Sequence, residues 1–174
     1  SGDAGRGNGG TARIRGRCER GDEREQQSAE GLLRANNEAF SNGDVDAFGA
    51  TIAEDGIYDG PGTHRKFEGR QDSVDAAAGW KSAFSDAEGT IESITSSGNT
   101  AVAEITWRGT HDGDMETPDG PIAPTGNQIT VRACMIATAQ DGEIIETHHY
   151  FDLLTLLTQI GAVKAPTETP ATAS

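Results

Sequence analysis

Cysteine is almost absent from this chain of 174 residues: Cys18 and Cys134 stand 116 positions apart, with no CxxC pair. Neither a disulfide framework nor a zinc knot nor a redox dithiol is encoded, and a reducing, cytoplasmic setting is the expectation. Basic residues are scarce, 14 against 28 acidic ones, and the net charge of -14 repels phosphate backbones and anionic lipid alike. Neither nucleic acid nor membrane is an expected partner, and a small molecule is. Long apolar runs are missing too: nothing approaches the roughly 18 residues that would span a bilayer, and no charged-then-apolar leader opens the sequence. The 23 glycines follow no G-x-y period, so a collagen-like chain is excluded. No G-x-S-x-G elbow nominates a serine nucleophile. The literal G-x-G-x-x-G from Gly5 to Gly10 has no strand before it and no helix after it, so the phosphate-cradling geometry is missing.

What remains suits one domain with one core. Residues 1–25 carry six arginines and five acids but only Ile14 as a large aliphatic, too little apolar surface to offset ordering. They read as a disordered Gly/Arg-rich tail. Residues 165–174, with two prolines and no bulky apolar side chain, read as a second flexible tail. The domain is expected over 26–164.

Within it, Ala29, Leu32, Leu33, Asn36, Ala39 and Phe40 recur at helical spacing, with Ser28 placed to cap the start and Gly43 to end it. Asp44 is placed to cap a second helix through Val45, Phe48 and Ile52, broken at Asp55-Gly56. After a loop from Pro61 to Gly69, a third helix presents Val74, Ala77, Ala78 and Phe84 on one face, bordered by Trp80. From Gly89 the period becomes two: Thr90–Thr95, a turn at Ser97-Gly98-Asn99, then Ala101–Arg108; Ile129–Thr138, a turn at Asp141-Gly142, then Ile144–Phe151. Leu153–Leu157 reads as a short closing helix ending at Gly161. Helices followed by an antiparallel meander make an α+β domain, and a twisted sheet wrapped on helices leaves a concave pocket.

Four segments go further. Glu38–Ala47 (EAFSNGDVDA), Phe67-Glu68-Gly69-Arg70 with Ala83-Phe84-Ser85-Asp86, Trp107–Gly113 (WRGTHDG), and Asp141–Glu146 running on to Asp152 and Gln159-Ile160-Gly161 resemble, in this order and spacing, the SnoaL-like polyketide cyclase and ester cyclase branch of the NTF2-like superfamily. The resemblance covers about 130 residues. It implies an NTF2-like cone of three N-terminal helices on a curved antiparallel sheet with a short C-terminal helix. It also implies a homodimer, and ring closure on an apolar polyketide-like substrate without metal or organic cofactor. The base implied is an acidic side chain near the end of the last strand, and Asp152 is the matching position. His148 stands where the family usually has Trp, and His149 replaces a residue that is often acidic.

Strict alternation on the last strand puts Glu146, His148, Tyr150 and Asp152 on one side and Thr147, His149 and Phe151 on the other. With the first set facing the pocket, Asp152 is the expected base and His148 and Tyr150 the donors to a developing enolate. Asp152 is equally placed to cap the closing helix, and His148 to be an interior histidine. Trp107 reads either as cavity wall or as core, and His111 as a rim donor or an exposed side chain. Tyr58 lies beside a loop at the mouth and is a candidate for binding substrate. Arg132 either pairs with Glu146 or faces solvent. His148 and His149 diverge along the strand and cannot share a metal, so neither metal nor cofactor is expected. Epoxide opening by carboxylate-activated water, and a non-catalytic binding or dimerisation module, are the alternatives.

Overall fold

The computed structural model describes residues 28–164. The tails expected at 1–25 and 165–174, and Cys18, lie outside the described residues. Helix α1 (Ala29–Asn42) starts where Ser28 Oγ accepts the Gly31 N–H at 3.0 Å and stops at Gly43, whose φ of 70° is the left-handed value a C-terminal cap needs. Helix α2 (Val45–Ala50) is capped by Asp44 through the Ala47 N–H. It is shorter than its apolar repeat suggests. Ile52 leaves the helix to open strand β1 (Ile52–Gly60), where it is buried opposite Ile144; sheet packing overrides helical spacing there. Inside the expected 61–69 loop, Pro61–Thr63 forms a single 3₁₀ turn and Arg65–Glu68 a short strand, β2. It is an edge strand, and its charged residues Arg65, Lys66 and Glu68 suit an edge.

Helix α3 (Arg70–Ala83) follows, then β3 (Glu88–Ser97), β4 (Thr100–Thr110), β5 (Gln128–Gln140), β6 (Glu143–Phe151) and helix α4 (Leu153–Gln159). The six strands make one sheet in the order β2-β1-β6-β5-β4-β3. Every neighbouring pair is antiparallel except β1 with β6, which run parallel. The sheet is therefore mixed and not wholly antiparallel: after α3 the chain restarts at the far edge, and its last strand closes beside its first. The α+β class with helices on a curved sheet is as expected.

Small side chains bring α1 close to the sheet. Leu33 packs over Ala101, Ala103 and Ala137, all fully buried. A second cluster gathers Phe84, Ile129, Val131, Leu156 and Ile160 beneath α4. Lys81 ties the helical layer together, donating from Nζ to the carbonyls of Ser41 and Ala87. Arg132 pairs with Glu104, not with Glu146, on the outer face of the sheet. Among the described residues no helix is long and apolar enough to cross a membrane.

One irregularity decides which residues face inward. Across β5 and β6, Ala139 pairs with Ile144 but Thr138 pairs with Glu146, so Ile145 is an extra, unpaired residue. Ile144 is buried against the helices. Strict alternation from it would turn Glu146, His148 and Tyr150 inward. The bulge reverses the parity, and Thr147, His149 and Phe151 face in instead, opposite Ala137, Met135 and Ala133. Deleting Ile145 would rotate three polar side chains into the core, so the deletion variant is expected to lose the cooperative thermal transition and the near-UV circular dichroism of the parent. Ile145→Thr, which keeps the bulge, should melt within a few degrees of it.

Candidate active site

The concave side of the sheet holds a partly enclosed cavity of about 130 Å³, close to the ~150 Å³ of an apolar cavity that takes up one benzene ring. Its walls are largely hydrocarbon. Phe40 comes from α1, Ile57 from β1, Phe67 from β2, Trp80 from α3, Met135 from β5 and Phe151 from β6. No Asp or Glu is among the lining residues.

Three of the polar side chains in this wall form one hydrogen-bonded chain, beside Asn36, Asn37, Ser73, Arg108 and Thr147. Tyr58 Oη lies 2.7 Å from His149 Nδ1, and the Trp107 indole N–H donates to His149 Nε2 at 3.3 Å. Three strands supply it: β1 carries Tyr58, β6 His149 and β4 Trp107. Phe67 packs against the Tyr58 ring at 5.8 Å, and Phe40 sits edge-on to the indole at 5.2 Å. His149 is half-buried, and the surface it keeps is turned to the cavity. Burial pushes its imidazole down to about 4, because the charged form loses its hydration. The same burial, and then the neighbouring Asp59 charge, pushes the Tyr58 hydroxyl upward. Both groups are neutral at physiological pH. Asn36 and Asn37 border the cavity from α1. Asn36 donates to Thr51 Oγ1 and Asn37 to the Gly89 carbonyl, which pins the helix to its neighbours.

Of the six candidate site residues, Tyr58 and Trp107 line this cavity, and Asp152, His148, Tyr150 and His111 do not. His148 is on the outer face, its Nε2 3.2 Å from Glu146 and its Nδ1 3.6 Å from Asp59. Tyr150 is 46% exposed there. Asp152 is at the surface, outside the cavity, as the cap of α4: Oδ1 accepts the Thr155 N–H at 2.9 Å and Oδ2 the Thr155 hydroxyl at 2.5 Å. Those hydrogen bonds hold its carboxyl below the usual carboxylate range, the opposite of what a base for carbon acids needs. His111 is neither on the rim nor exposed. It is fully buried against Phe84, its Nδ1 3.1 Å from the Thr125 hydroxyl. The residue that strict alternation misplaced is His149. The signal was present, because Ile144 and Phe151 are both apolar yet seven positions apart, an odd spacing that puts both inward only across a bulge. Among the described residues no three His, Cys, Asp or Glu side chains converge as a metal site.

The family model for SnoaL-like polyketide cyclases matches residues 30–160, so the chain belongs to that family. Its solved structural relatives share the NTF2-like cone. AclR of Streptomyces galilaeus, a proposed hydroxylase, superposes with a TM-score of 0.69 at 18% identity, over 80% of this chain and 85% of that one. A proposed SnoaL-like polyketide cyclase of Jannaschia sp. CCS1 gives 0.68 at 24% identity, over 79% and 94%. An epoxide hydrolase of M. tuberculosis gives 0.60 at 18%, over 78% and 90%. At these identities the likeness extends to the fold alone. No curated protein sequence matches the chain significantly.

His149 also makes folding pH-dependent. Its value is about 4 when folded and 6.5 in the free side chain, so between these the unfolded chain binds more protons. Stability is complete above pH 6.5 and falls as pH drops toward 4, by about 3 kcal/mol in all. Urea unfolding of the parent should show this loss over that window, and His149→Gln should flatten it.

Proposed function

We propose that this protein is a cofactor-independent enzyme of the cyclase or isomerase kind, acting on a small, apolar, neutral carbonyl compound by proton transfer at carbon. The observation that carries the reading is a neutral phenol and a neutral imidazole joined by a 2.7 Å contact in a hydrocarbon-walled cavity that no carboxylate lines. Tyr58, its hydroxyl pushed up, stays protonated and donates to the substrate carbonyl, strengthening that bond as negative charge develops on the oxygen. His149 is the Brønsted base of the cavity, and its Nε2 accepts the proton from the carbon. An imidazole of low proton affinity removes protons only from an acidic carbon, which points to a methylene between two carbonyls. The enolate so formed either attacks a second carbonyl, closing a ring, or is reprotonated at another carbon. In both cases the proton held on His149 returns to the product, and no net redox change occurs.

The size of the cavity favours a substrate of one ring or the open chain that would close to it. Epoxide opening by carboxylate-activated water finds no support, since the lining holds no carboxylate. A non-catalytic binding module remains the reading in which Tyr58 only anchors a ligand.

Enolisation of acetylcyclopentanone, a compact β-diketone, separates the two when followed by ultraviolet absorbance. Wild type is expected to accelerate it, with kcat/KM flat from pH 5 to 8 and falling below about pH 4 as His149 protonates. Tyr58→Phe and His149→Gln should each lower kcat/KM by about 10²-fold, and Asp152→Asn, still a good cap, should leave it unchanged. Ligand binding without acceleration would leave only the binding module, and full activity in His149→Gln would overturn His149 as the base.

A further inference from the structure

The proposed chemistry requires His149 to be unprotonated at the nitrogen that takes the proton, and requires Tyr58 to keep its own proton for the substrate. A neutral imidazole carries one proton, on either Nδ1 or Nε2, and the hydrogen bonds made by the ring decide which. We infer that Trp107 is the positioning residue that sets this choice: its indole N–H holds His149 as the Nδ1–H tautomer, and thereby turns the Tyr58 hydroxyl hydrogen toward the ligand.

The argument rests on donor and acceptor inventory. Indole nitrogen only donates, and it points at Nε2 over 3.3 Å. A proton on Nε2 would set two donors against each other, so the proton is on Nδ1. Nδ1–H then donates to Tyr58 Oη across 2.7 Å. With its oxygen accepting, the tyrosine hydrogen is left over, and Tyr58 Oη makes no second hydrogen bond among the described residues. In the opposite tautomer Tyr58 would donate to Nδ1 and Nε2 would carry the proton. Acid and base would both be spent on each other. A single N–H therefore keeps both groups in their reactive form, and at 3.3 Å it is long enough that a small tilt of the imidazole frees Nε2 for a substrate carbon while the indole stays in place.

The indole is held so that it cannot swing away. Gly89 stands opposite Trp107 across β3 and β4, and a Cβ there would lie 2.6 Å from Cζ3 and 2.9 Å from Cη2 of the indole. Glycine is what lets the ring sit flat on its neighbour strand. Phe40 closes the other side edge-on at 5.2 Å.

The tautomer is directly visible in nitrogen NMR, where pyrrole-type and pyridine-type ring nitrogens are well separated; His149→Gln identifies the resonances. Wild type is expected to carry the His149 proton on Nδ1. Trp107→Phe, and a protein with benzothienylalanine at position 107, which keeps the fused-ring shape without the N–H, should both move it to Nε2. The same proteins should lose about 30-fold or more in kcat on the diketone with KM changed by less than threefold, as expected for loss of a positioned acid and base together. A wild-type proton on Nε2, or a proton that stays on Nδ1 when the indole N–H is gone, overturns the inference. This inference rests on the proposed acid–base reading but fails separately from it. If the tautomer shifts as described and wild type does not enolise the diketone, the role of Trp107 stands and the enzymatic reading falls.

Discussion

Ile145 has no partner on β5, and that single unpaired residue determines the chemistry of the whole concave face. Upstream of it Ile144 is locked into the core against α1, and downstream Phe151 is packed at 5.9 Å against Trp80. Both contacts are apolar and mutually out of phase, so an uninterrupted strand satisfies only one. The bulge satisfies both, and its by-product is a neutral pair, Thr147 and His149, facing in where Glu146, His148 and Tyr150 would have been. The more polar set goes outside, where His148 sits between Glu146 and Asp59. Without the bulge the cavity would hold a carboxylate and a different histidine.

Local sequence signals lose their hold at the same place in the fold. Helix α1 was legible from cap to cap, since Ser28 and Gly43 are local signals for local hydrogen bonds. The β3–β4 and β5–β6 hairpins were legible because Gly98, and Asp141 with Gly142, carry the positive φ their turns need. Tyr58 and Trp107, candidates on sequence grounds, line the cavity. What failed depends on partners far away in sequence. The parity of β6 is set by its register on β5, the helix-like repeat through Ile52 is overruled by pairing with Ile144, and β2 exists only because β1 offers it an edge. Asp152 shows how one residue type supports two readings. An aspartate before an apolar helix is a cap by local rules, and the closing helix takes both of its oxygens.

The electrostatics follow from the same partition. A chain with a net charge of -14 keeps its carboxylates out of the cavity wall, and the two titratable side chains of the buried hydrogen-bonded chain are those that burial makes neutral. Desolvation moves them in opposite directions, the imidazole down and the phenol up, because it always penalises the charged form. The gap between them widens, so neither protonates nor ionises the other, and the pair persists as donor and acceptor over the whole physiological range. Cavities built around a carboxylate lack this property, since burial raises a carboxylate toward neutrality and makes its state depend on pH.

A histidine at position 149 therefore offers something that a carboxylate there would not. A carboxylate is acceptor-only. Placed between the Trp107 N–H and the Tyr58 O–H it would accept from both, and the tyrosine proton would be consumed in stabilising the base, lowering its basicity and leaving no donor for the ligand. An imidazole accepts on one side and donates on the other. In the tautomer inferred above, it turns the flow of hydrogen bonds around at Tyr58: the chain runs from indole to imidazole and from imidazole to phenol, and the phenol hydrogen is left for a ligand. On the proposed acid–base reading, the histidine gives up proton affinity, which restricts that chemistry to acidic carbons, and in exchange the site gains a hydrogen-bond donor held 2.7 Å from its base.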